Sequence, residues 1–373
     1  MKVLITGADG FIGKNLRQHL TERPDVEVAT FTRADTPEDL PRLVAGTDFV
    51  FHLAGVNRPQ DPQEFLTGNR DLTIALLRAL EEGVHGRRVP VVLASSIQAA
   101  HDNPYGASKR AAEQAVAGYA ARSNSPAHLF RLPNVFGKWC RPNYNSAVAT
   151  FCHNIARDLT ITIHDPSAEL RLVHVDDVVS SFLRLLDDGS AVVDAEGFAT
   201  VEPVYTATVG EVARLVEGFR GSRDTLMADR AGAGFVRALY STYLSYLPPG
   251  SFSYRVARHG DPRGVFVEML KTPDCGQFSY FTAHPGVTRG GHYHHAKTEK
   301  FLVIQGRARF KFRHVQTNET YELVTTGEEA EIVETVPGWA HDVTNIGDND
   351  LVVMLWANEV FDRSRPDTIA CRV

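Results

Sequence analysis

The first half of the chain alternates short apolar runs with amphipathic stretches. Lys2–Thr6, Val26–Phe31, Phe49–Leu53 and Val91–Ala94 are apolar runs of strand length, and the helix-like segments Lys14–Leu20 and Asp71–Glu82 separate the first two and the last two. Apolar strands alternating with helices predict a parallel sheet covered on both faces. From about Phe252 the pattern changes. Val265–Leu270, Gly276–Ala283, Lys300–Ile304, Arg307–His314, Glu329–Thr335 and Leu351–Trp356 are short runs broken by Gly, Pro and Asn, the spacing of an all-β sandwich or small barrel. The join falls in Tyr240–Tyr254, where Leu247-Pro248-Pro249-Gly250 interrupts any helix. The pattern therefore predicts an α/β domain over residues 1–245 with a doubly wound parallel sheet, then a β domain over 252–373.

Composition changes this picture little. A chain of 373 residues that is 43% hydrophobic and 23% charged has the length and apolar content for two buried cores. A net charge of −6 gives no electrostatic reason to bind nucleic acid or an anionic membrane. The basic stretch Arg307–Arg313 alternates with apolar residues and reads as the solvated face of a strand. Cys140, Cys152, Cys275 and Cys371 show no C-x-x-C spacing, so neither a disulfide framework nor a thiolate zinc site is expected, which fits a reducing cytoplasm. The N-terminal apolar run is too short for a signal-peptide core, and no run reaches bilayer-spanning length.

Candidate chemistry begins with Gly7-Ala8-Asp9-Gly10-Phe11-Ile12-Gly13 directly after the first strand. Glycines at 7, 10 and 13 let the backbone turn tightly and approach a pyrophosphate, which then sits at a helix N-terminus. About twenty residues on, where an acidic residue would hold the ribose hydroxyls of NAD, the second strand ends in Arg33. A cation there suits a 2′-phosphate and favours NADPH, while nearby Asp35 leaves NAD open and a merely solvated arginine is the simpler alternative. Leu53-Ala54-Gly55, ending the third strand, would line the same cofactor.

Tyr105 and Lys109 lie four apart, so a helix brings them to one face. A free tyrosine has a pKa of about 10, and a neighbouring ammonium stabilises its phenolate. Ser96, closing the strand at Leu93-Ala94-Ser95-Ser96, is placed to hydrogen-bond the same substrate carbonyl. Taken in order, the glycine turn, the Phe51-to-Gly55 strand end, the paired serines and Tyr105-x-x-x-Lys109 resemble the extended short-chain dehydrogenase/reductases, a Rossmann-type family acting mostly on nucleotide sugars. Arg131-Leu132-Pro133-Asn134-Val135-Phe136-Gly137 and Arg171-Leu172-Val173-His174-Val175-Asp176-Asp177 match two further signatures of that family. The resemblance implies NADPH-dependent ketone reduction with Ser96, Tyr105 and Lys109 as catalytic residues. It also implies that Asn134 and the following Lys138, Arg141, Asn143 and Asn145 meet the nucleotide diphosphate. One departure is that only nine positions separate Ser96 from Tyr105, which predicts a more open cleft on that side.

The β region carries His292-Tyr293-His294, then Glu299 and His341. Alternate strand residues share a face, so His292 and His294 converge and Glu299 joins from the next turn or strand. Imidazoles with a carboxylate suit Zn²⁺ or another borderline divalent ion. The spacing resembles the two motifs of the cupin superfamily and implies a jelly-roll barrel, although Pro337 stands immediately before Gly338 where the usual motif has an intervening residue. The stretches Asp261-Pro262-Arg263-Gly264 and Gly286-Val287-Thr288-Arg289-Gly290-Gly291-His292 also resemble the metal-free deoxysugar epimerases of that superfamily, in which the residue matching His292 is the base. His292 thus stands as ligand or base, and Arg263 as a substrate contact.

Over its whole length the chain resembles the bifunctional capsular-polysaccharide enzymes that join a reductase to a cupin. The resemblance implies a homodimer acting on a UDP-linked 4-keto-6-deoxy amino sugar, first inverting C3 and then reducing C4. A reductase whose cupin is purely structural, and a non-catalytic NADPH-binding sensor, are the alternatives.

Overall fold

The computed structural model describes residues 1–83, 87–257, 259–261, 264–266, 269–270, 276–359 and 364–373. The chain divides into two compact units, Met1–Val135 with Leu170–Thr206, and Phe136–Glu169 with Ala207–Val373. It crosses between them within three short strands, β6 (Asn134–Phe136), β7 (Glu169–His174) and β8 (Tyr205–Thr208).

The first unit is built on β1 (Lys2–Thr6), β2 (Glu27–Phe31), β3 (Phe49–His52), β4 (Val91–Ser96) and β5 (Ala127–Leu132), in the order β2-β1-β3-β4-β5 with every pair parallel. Helix α1 (Phe11–Thr21) follows β1, and α2 (Leu40–Val44) precedes β3. After β3 the chain passes through α3 (Gln63–Phe65) and a π-helical turn, Leu66–Asp71, into α4 (Leu72–Gly83). Helix α5 (Pro104–Ser123) links β4 to β5, and α7 (Val175–Asp188) follows β7. Two apolar clusters cover the sheet. One joins Val3, Ile5, Phe51, Val92 and Phe130 to Leu16, Val178 and Phe182, and the other joins Leu4, Val50 and Val91 to Leu76, Leu80, Val116 and Tyr119. Strands buried on both faces carry continuous apolar runs, which is why β1, β3 and β4 were legible.

Helix α5 starts where it does because the Asn103 side chain accepts the Gly106 N–H and Pro104 occupies the first helical position. A Cβ at Gly106 would lie 2.2 Å from the Gln98 carbonyl, so glycine is what allows the 3₁₀ turn Ile97–Ala100 to pack against the helix start. That packing accommodates the short link between Ser96 and Tyr105.

The second unit carries α6 (Ala147–Ile155), α8 (Val209–Thr225) and α9 (Gly234–Ser245). They are followed by strands β9 (Ser253–Arg255), β10 (His259–Asp261), β11 (Gly264–Phe266), β12 (Gln277–Ala283), β13 (Thr288–Tyr293) and β14 (Glu299–Gln305). The remaining strands are β15 (Arg307–His314), β16 (Thr320–Thr326), β17 (Glu331–Glu334), β18 (Trp339–Asn345), β19 (Leu351–Ala357) and β20 (Ile369–Ala370). They form two five-stranded antiparallel sheets, β12-β19-β14-β17-β9 and β16-β15-β18-β13-β20, together with the β10–β11 hairpin. The expected jelly roll is thus two facing sheets, and the described residues close no single hydrogen-bonded barrel. Ala308, Phe310 and Phe312 alternate inward along β15, with Phe310 5.6 Å from Phe301 of β14 in the other sheet. Arg309 and Lys311 between them are half-buried, so the strand face expected to be solvated is only partly exposed.

Candidate functional sites

The first unit gathers its chemical groups at the carboxyl ends of β1, β3 and β4. Gly7 has φ +69°, and a Cβ there would lie 2.6 Å from the Ala54 nitrogen. A Cβ at Gly13 would lie 2.1 Å from the Gly7 carbonyl oxygen. Both glycines are therefore required by close backbone approach, and Gly10 leads into α1, a helix N-terminus of the kind whose unpaired amides suit an anion. Phe11 and Ile12 form the half-buried first turn. Helix α1 accordingly begins three residues before the predicted Lys14, since the glycine turn itself initiates it.

Leu53, Ala54 and Gly55 follow β3. The Leu53 N–H donates to the Thr6 carbonyl at 3.1 Å, and the Ala54 N–H to the Thr6 hydroxyl oxygen at 3.2 Å. Behind them His52 is buried between Thr6 (Nδ1···Oγ1 2.6 Å) and Thr73 (Nε2···Oγ1 2.7 Å), and burial lowers its pKa to about 3. A neutral His52 is thus a structural tie. Asn69, in the π-helical turn, accepts the Val56 N–H at 2.9 Å and donates to the Val56 carbonyl and to the Ser108 hydroxyl, each at 2.9 Å. It fixes the loop after Gly55 against α5. Sequence reading missed both groups, and Asn69 leaves no signal of its own because it stands among other polar residues in Thr67-Gly68-Asn69-Arg70-Asp71.

Ser96 and Tyr105 come together, and Lys109 follows one helical turn on. Tyr105 is half-buried, its ring 5.6 Å from Phe65, and burial raises its pKa while a hydrogen bond with the Ser96 side chain opposes the rise. Lys109 is 5% exposed, its Nζ donating to the Ala94 carbonyl at 2.7 Å. Burial lowers its pKa to about 8 against the pull of Glu113. Glu113 in turn accepts the Ser95 hydroxyl at 2.5 Å and holds Arg131 bidentately at 3.0 and 2.8 Å. The site therefore presents a protonated phenol beside a hydroxyl, with a cation on the next helical turn.

At the end of β2, Arg33 is exposed while the Asp35 carboxylate is occupied by the Thr32 N–H at 2.7 Å and the Thr32 hydroxyl at 2.9 Å. Asn134 is exposed on β6 in the first unit. The remaining predicted substrate contacts belong to the second unit: Lys138 is buried, whereas Arg141, Asn143 and Asn145 are exposed. Arg141 stacks 5.1 Å over Tyr144. Arg263 lies outside the described residues.

In the second unit His292, His294, Glu299 and His341 offer one ligand atom each, all within 4.8 Å of one another. A bulge between Gly290 and His292 puts His292 opposite His341 across the β13–β18 ladder, with ring centroids 4.8 Å apart. A Cβ at Gly290, whose φ is +98°, would lie 2.9 Å from the His341 carbonyl, so the bulge needs glycine. His294 follows β13 and Glu299 opens β14, its N–H donating to the Thr335 hydroxyl at 2.8 Å. His294, Glu299 and His341 are buried and His292 is half-buried. Burial, reinforced by the neighbouring imidazoles, lowers the His292 pKa to about 4.

The hydrogen-bond partners of the imidazoles show which atoms of this cluster converge. His294 Nδ1 faces the Asp367 carbonyl oxygen, which only accepts, so Nδ1 carries hydrogen, and Nε2 lies 3.3 Å from Glu299 Oε2. His341 Nδ1 likewise faces the Trp339 carbonyl at 3.4 Å, and its buried Nε2, 3.7 Å from the same oxygen, has no hydrogen-bond partner. Two imidazole nitrogens and one carboxylate oxygen thus converge in a buried pocket, the other carboxylate oxygen being paired with Lys297. The donor set and its convergence fit a divalent metal.

These features define an epimerase/dehydratase-type dinucleotide unit joined to a β unit with a histidine–glutamate cluster. Residues 3–198 match the NAD dependent epimerase/dehydratase family, and residues 259–369 match the polysaccharide biosynthesis C-terminal domain. The chain belongs to that epimerase/dehydratase family, whose description implies a nicotinamide cofactor. It is 60% identical to the UDP-2-acetamido-2,6-beta-L-arabino-hexul-4-ose reductase of Pseudomonas aeruginosa, over 100% of this chain and 99% of that one. The crystal structure of capsular polysaccharide assembling protein CapF from Staphylococcus aureus matches with 41% identity and TM-score 0.69, over 100% of both chains. UDP-glucuronic acid 4-epimerase from Bacillus cereus shares the fold at 20% identity and TM-score 0.51, over 59% of this chain and 83% of that one. Among the described residues no helix is long and apolar enough to cross a membrane.

Proposed function

We propose that the chain is a bifunctional nucleotide-sugar enzyme. Its β unit epimerises C3 of UDP-2-acetamido-2,6-dideoxy-β-L-arabino-hexos-4-ulose. Its dinucleotide unit then reduces the C4 ketone with NADPH to UDP-2-acetamido-2,6-dideoxy-L-talose, towards UDP-N-acetyl-L-fucosamine. The observation that carries this reading is the coexistence of two complete constellations, Ser96/Tyr105/Lys109 and His292/His294/Glu299/His341, on a chain aligned end to end with a reductase of such a sugar. We assign the reductase to residues 1–245 and the cupin to 252–373, in a cytoplasmic homodimer.

NADPH, when bound, supplies the hydride for the ketone carbon. Gly7, Gly10 and Gly13 leave room for its pyrophosphate at the start of α1. Arg33 is exposed to meet a 2′-phosphate because Thr32 engages the competing Asp35 carboxylate. The Ser96 hydroxyl orients the ketone oxygen, and Tyr105, kept protonated by burial, donates its phenolic proton to that oxygen. The Lys109 ammonium stabilises the phenolate left behind.

A divalent metal, when bound, draws electron density from the substrate ketone and so acidifies the neighbouring C–H. His294, Glu299 and His341 would hold it from the buried side. His292, half-buried and uncharged at neutral pH, is the ligand or the group that takes the C3 proton.

The test is incubation with the 4-keto sugar nucleotide in D₂O, followed by NMR. Deuterium should enter C3 without NADPH, and Tyr105→Phe should keep that exchange while losing NADPH oxidation. Normal C3 exchange in Glu299→Ala would refute the epimerase assignment.

A further inference from the structure

The end of the chain is sewn to the strand that carries the histidines. Strand β20 pairs with β13, matching Ala370 with His292 and Ile369 with Tyr293. The Cys371 N–H donates to the Gly291 carbonyl at 2.8 Å, and Arg313 Nε of β15 donates to the Arg372 carbonyl at 3.2 Å.

Asp367, just before β20, is the centre of this attachment. Its carboxylate accepts three consecutive backbone N–H groups: His295 at 2.8 Å on Oδ1, and Ala296 and Lys297, both at 2.7 Å, on Oδ2. Its main-chain carbonyl accepts His294 Nδ1–H. These four residues lie within the loop that connects His294 to Glu299. An ionised carboxylate with three N–H donors is a far stiffer fixture than a neutral turn.

Two consequences reach the cluster. Because a carbonyl only accepts, its bond to His294 Nδ1 commits Nε2 as the coordinating nitrogen. Because Asp367 holds the Lys297 main chain, the Lys297 ammonium reaches Glu299 Oε1 at 2.7 Å, leaving Oε2 to face His294 and His341.

We propose that Asp367 is a positioning residue of the histidine–glutamate centre. Through His294 and Lys297 it selects which nitrogen and which carboxylate oxygen face the metal, making the C-terminal strap part of the site. The inference rests on the reading of this cluster as a divalent-metal centre. The competing explanation is that Asp367 only terminates a turn, in which case its loss would lower stability and leave the folded protein's coordination unchanged.

The test uses full-length wild type, Asp367→Asn and Lys297→Met, each loaded with Zn²⁺ or Co²⁺. An asparagine keeps the size of Asp367 but opposes one of the three N–H donors with its own NH₂. Zn²⁺ affinity, read by competition with a chromogenic chelator, should fall about 10- to 100-fold in Asp367→Asn. The visible Co²⁺ spectrum of the folded protein should change in both variants, because both alter how Glu299 or His294 is presented. For C3–deuterium exchange, kcat should fall in Asp367→Asn with KM little moved. Wild-type Zn²⁺ affinity and an unchanged Co²⁺ spectrum in Asp367→Asn would overturn the proposal while leaving the metal reading intact. Failure of wild type to bind either ion would overturn both. Lys297→Met removes only a side-chain contact, so an unchanged spectrum there overturns the oxygen-selection arm even if Asp367→Asn folds poorly.

Discussion

Glu334 offers a direct test of how the second unit is held together. It lies on β17 at 1% exposure and forms ion pairs with Arg223 of α8 and Lys300 of β14, both largely buried. Lys300 Nζ also donates to the Tyr254 hydroxyl at 2.9 Å, and Arg223 Nη1 to the Ser251 carbonyl at 2.6 Å. Burial alone would push each charged group towards neutrality. The partner charges outweigh it, holding Glu334 below its ordinary 4.5 and Lys300 above its ordinary 10.5.

Glu334→Gln removes the only carboxylate in that set and leaves two buried cations, at an expected cost of about 3–5 kcal/mol. At about 2–4 °C per kcal/mol for a domain of this size, the melting temperature of the unit should drop by about 6–20 °C. The pH dependence gives a second, signed readout. In wild type, Glu334 contributes stability that is present above pH 4.5 and lost as pH falls through its lowered folded pKa. Lys300 contributes stability that is present below pH 10.5 and lost as pH rises through its raised one. Without the carboxylate, burial lowers the Lys300 pKa instead, so the unfolded chain binds more protons and the variant should gain stability between about pH 7 and 10. Replacing Arg223, Lys300 and Glu334 together by Met, Met and Leu should be near neutral. Calorimetry and urea unfolding measure all three. A loss below about 1 kcal/mol in Glu334→Gln, with no alkaline gain, would refute the reasoning.

Other outcomes are equally specific. NADPH-dependent reduction should decline as pH rises through about 8, where Lys109 loses its charge, and Glu113→Gln should move that limb to lower pH because Glu113 favours the ammonium; superimposable pH–rate profiles would contradict this. Tyr105→Phe should reduce the ketone about 10²- to 10⁴-fold more slowly with NADPH binding retained, as followed by absorbance and fluorescence titration. Arg33→Ala should weaken NADPH binding with little change for NADH, and an equal loss for both would show that Arg33 does not meet the 2′-phosphate.

Four of the five strands of the parallel sheet were legible as apolar runs, whereas β5 (Ala-His-Leu-Phe-Arg-Leu) was missed because His128 and Arg131 interrupt it. Strands β16 and β18 were missed as well. In β16 (Thr-Tyr-Glu-Leu-Val-Thr-Thr) only Thr325 is buried, since it lies at a sheet edge. In β18 the inward face carries His341, a residue chosen for chemistry that breaks the apolar alternation. Helix α5 hides its amphipathicity because Ser108, Lys109 and Glu113 occupy its buried face.

The same distinction separates the legible from the illegible parts of the sites. Groups that touch a reacting atom must be of a particular residue type at a particular spacing, so Tyr105 with Lys109, and His292 with His294 and Glu299, leave a local signature. Groups that orient them act through geometry and come from anywhere in the chain. Glu113 reaches Arg131 across 18 residues, Asn69 reaches Ser108 across 39, and Asp367 reaches the His295 amide across 72. Nothing in a local pattern distinguishes such a residue from a solvated one, because its partners are distant in sequence and, for Asn69 and Asp367, are largely backbone groups that every residue carries. The orienting residues are nevertheless what convert a set of ligands into one coordination geometry. Two of the three sit where regular backbone is broken, Asn69 in the π-helical turn before α4 and Asp367 just before β20, while Glu113 lies within α5. Irregular backbone leaves amides and carbonyls unpaired, and a buried side chain that satisfies them is thereby fixed in place. Those breaks are where substitutions should change the chemistry of the sites with the least effect on the fold.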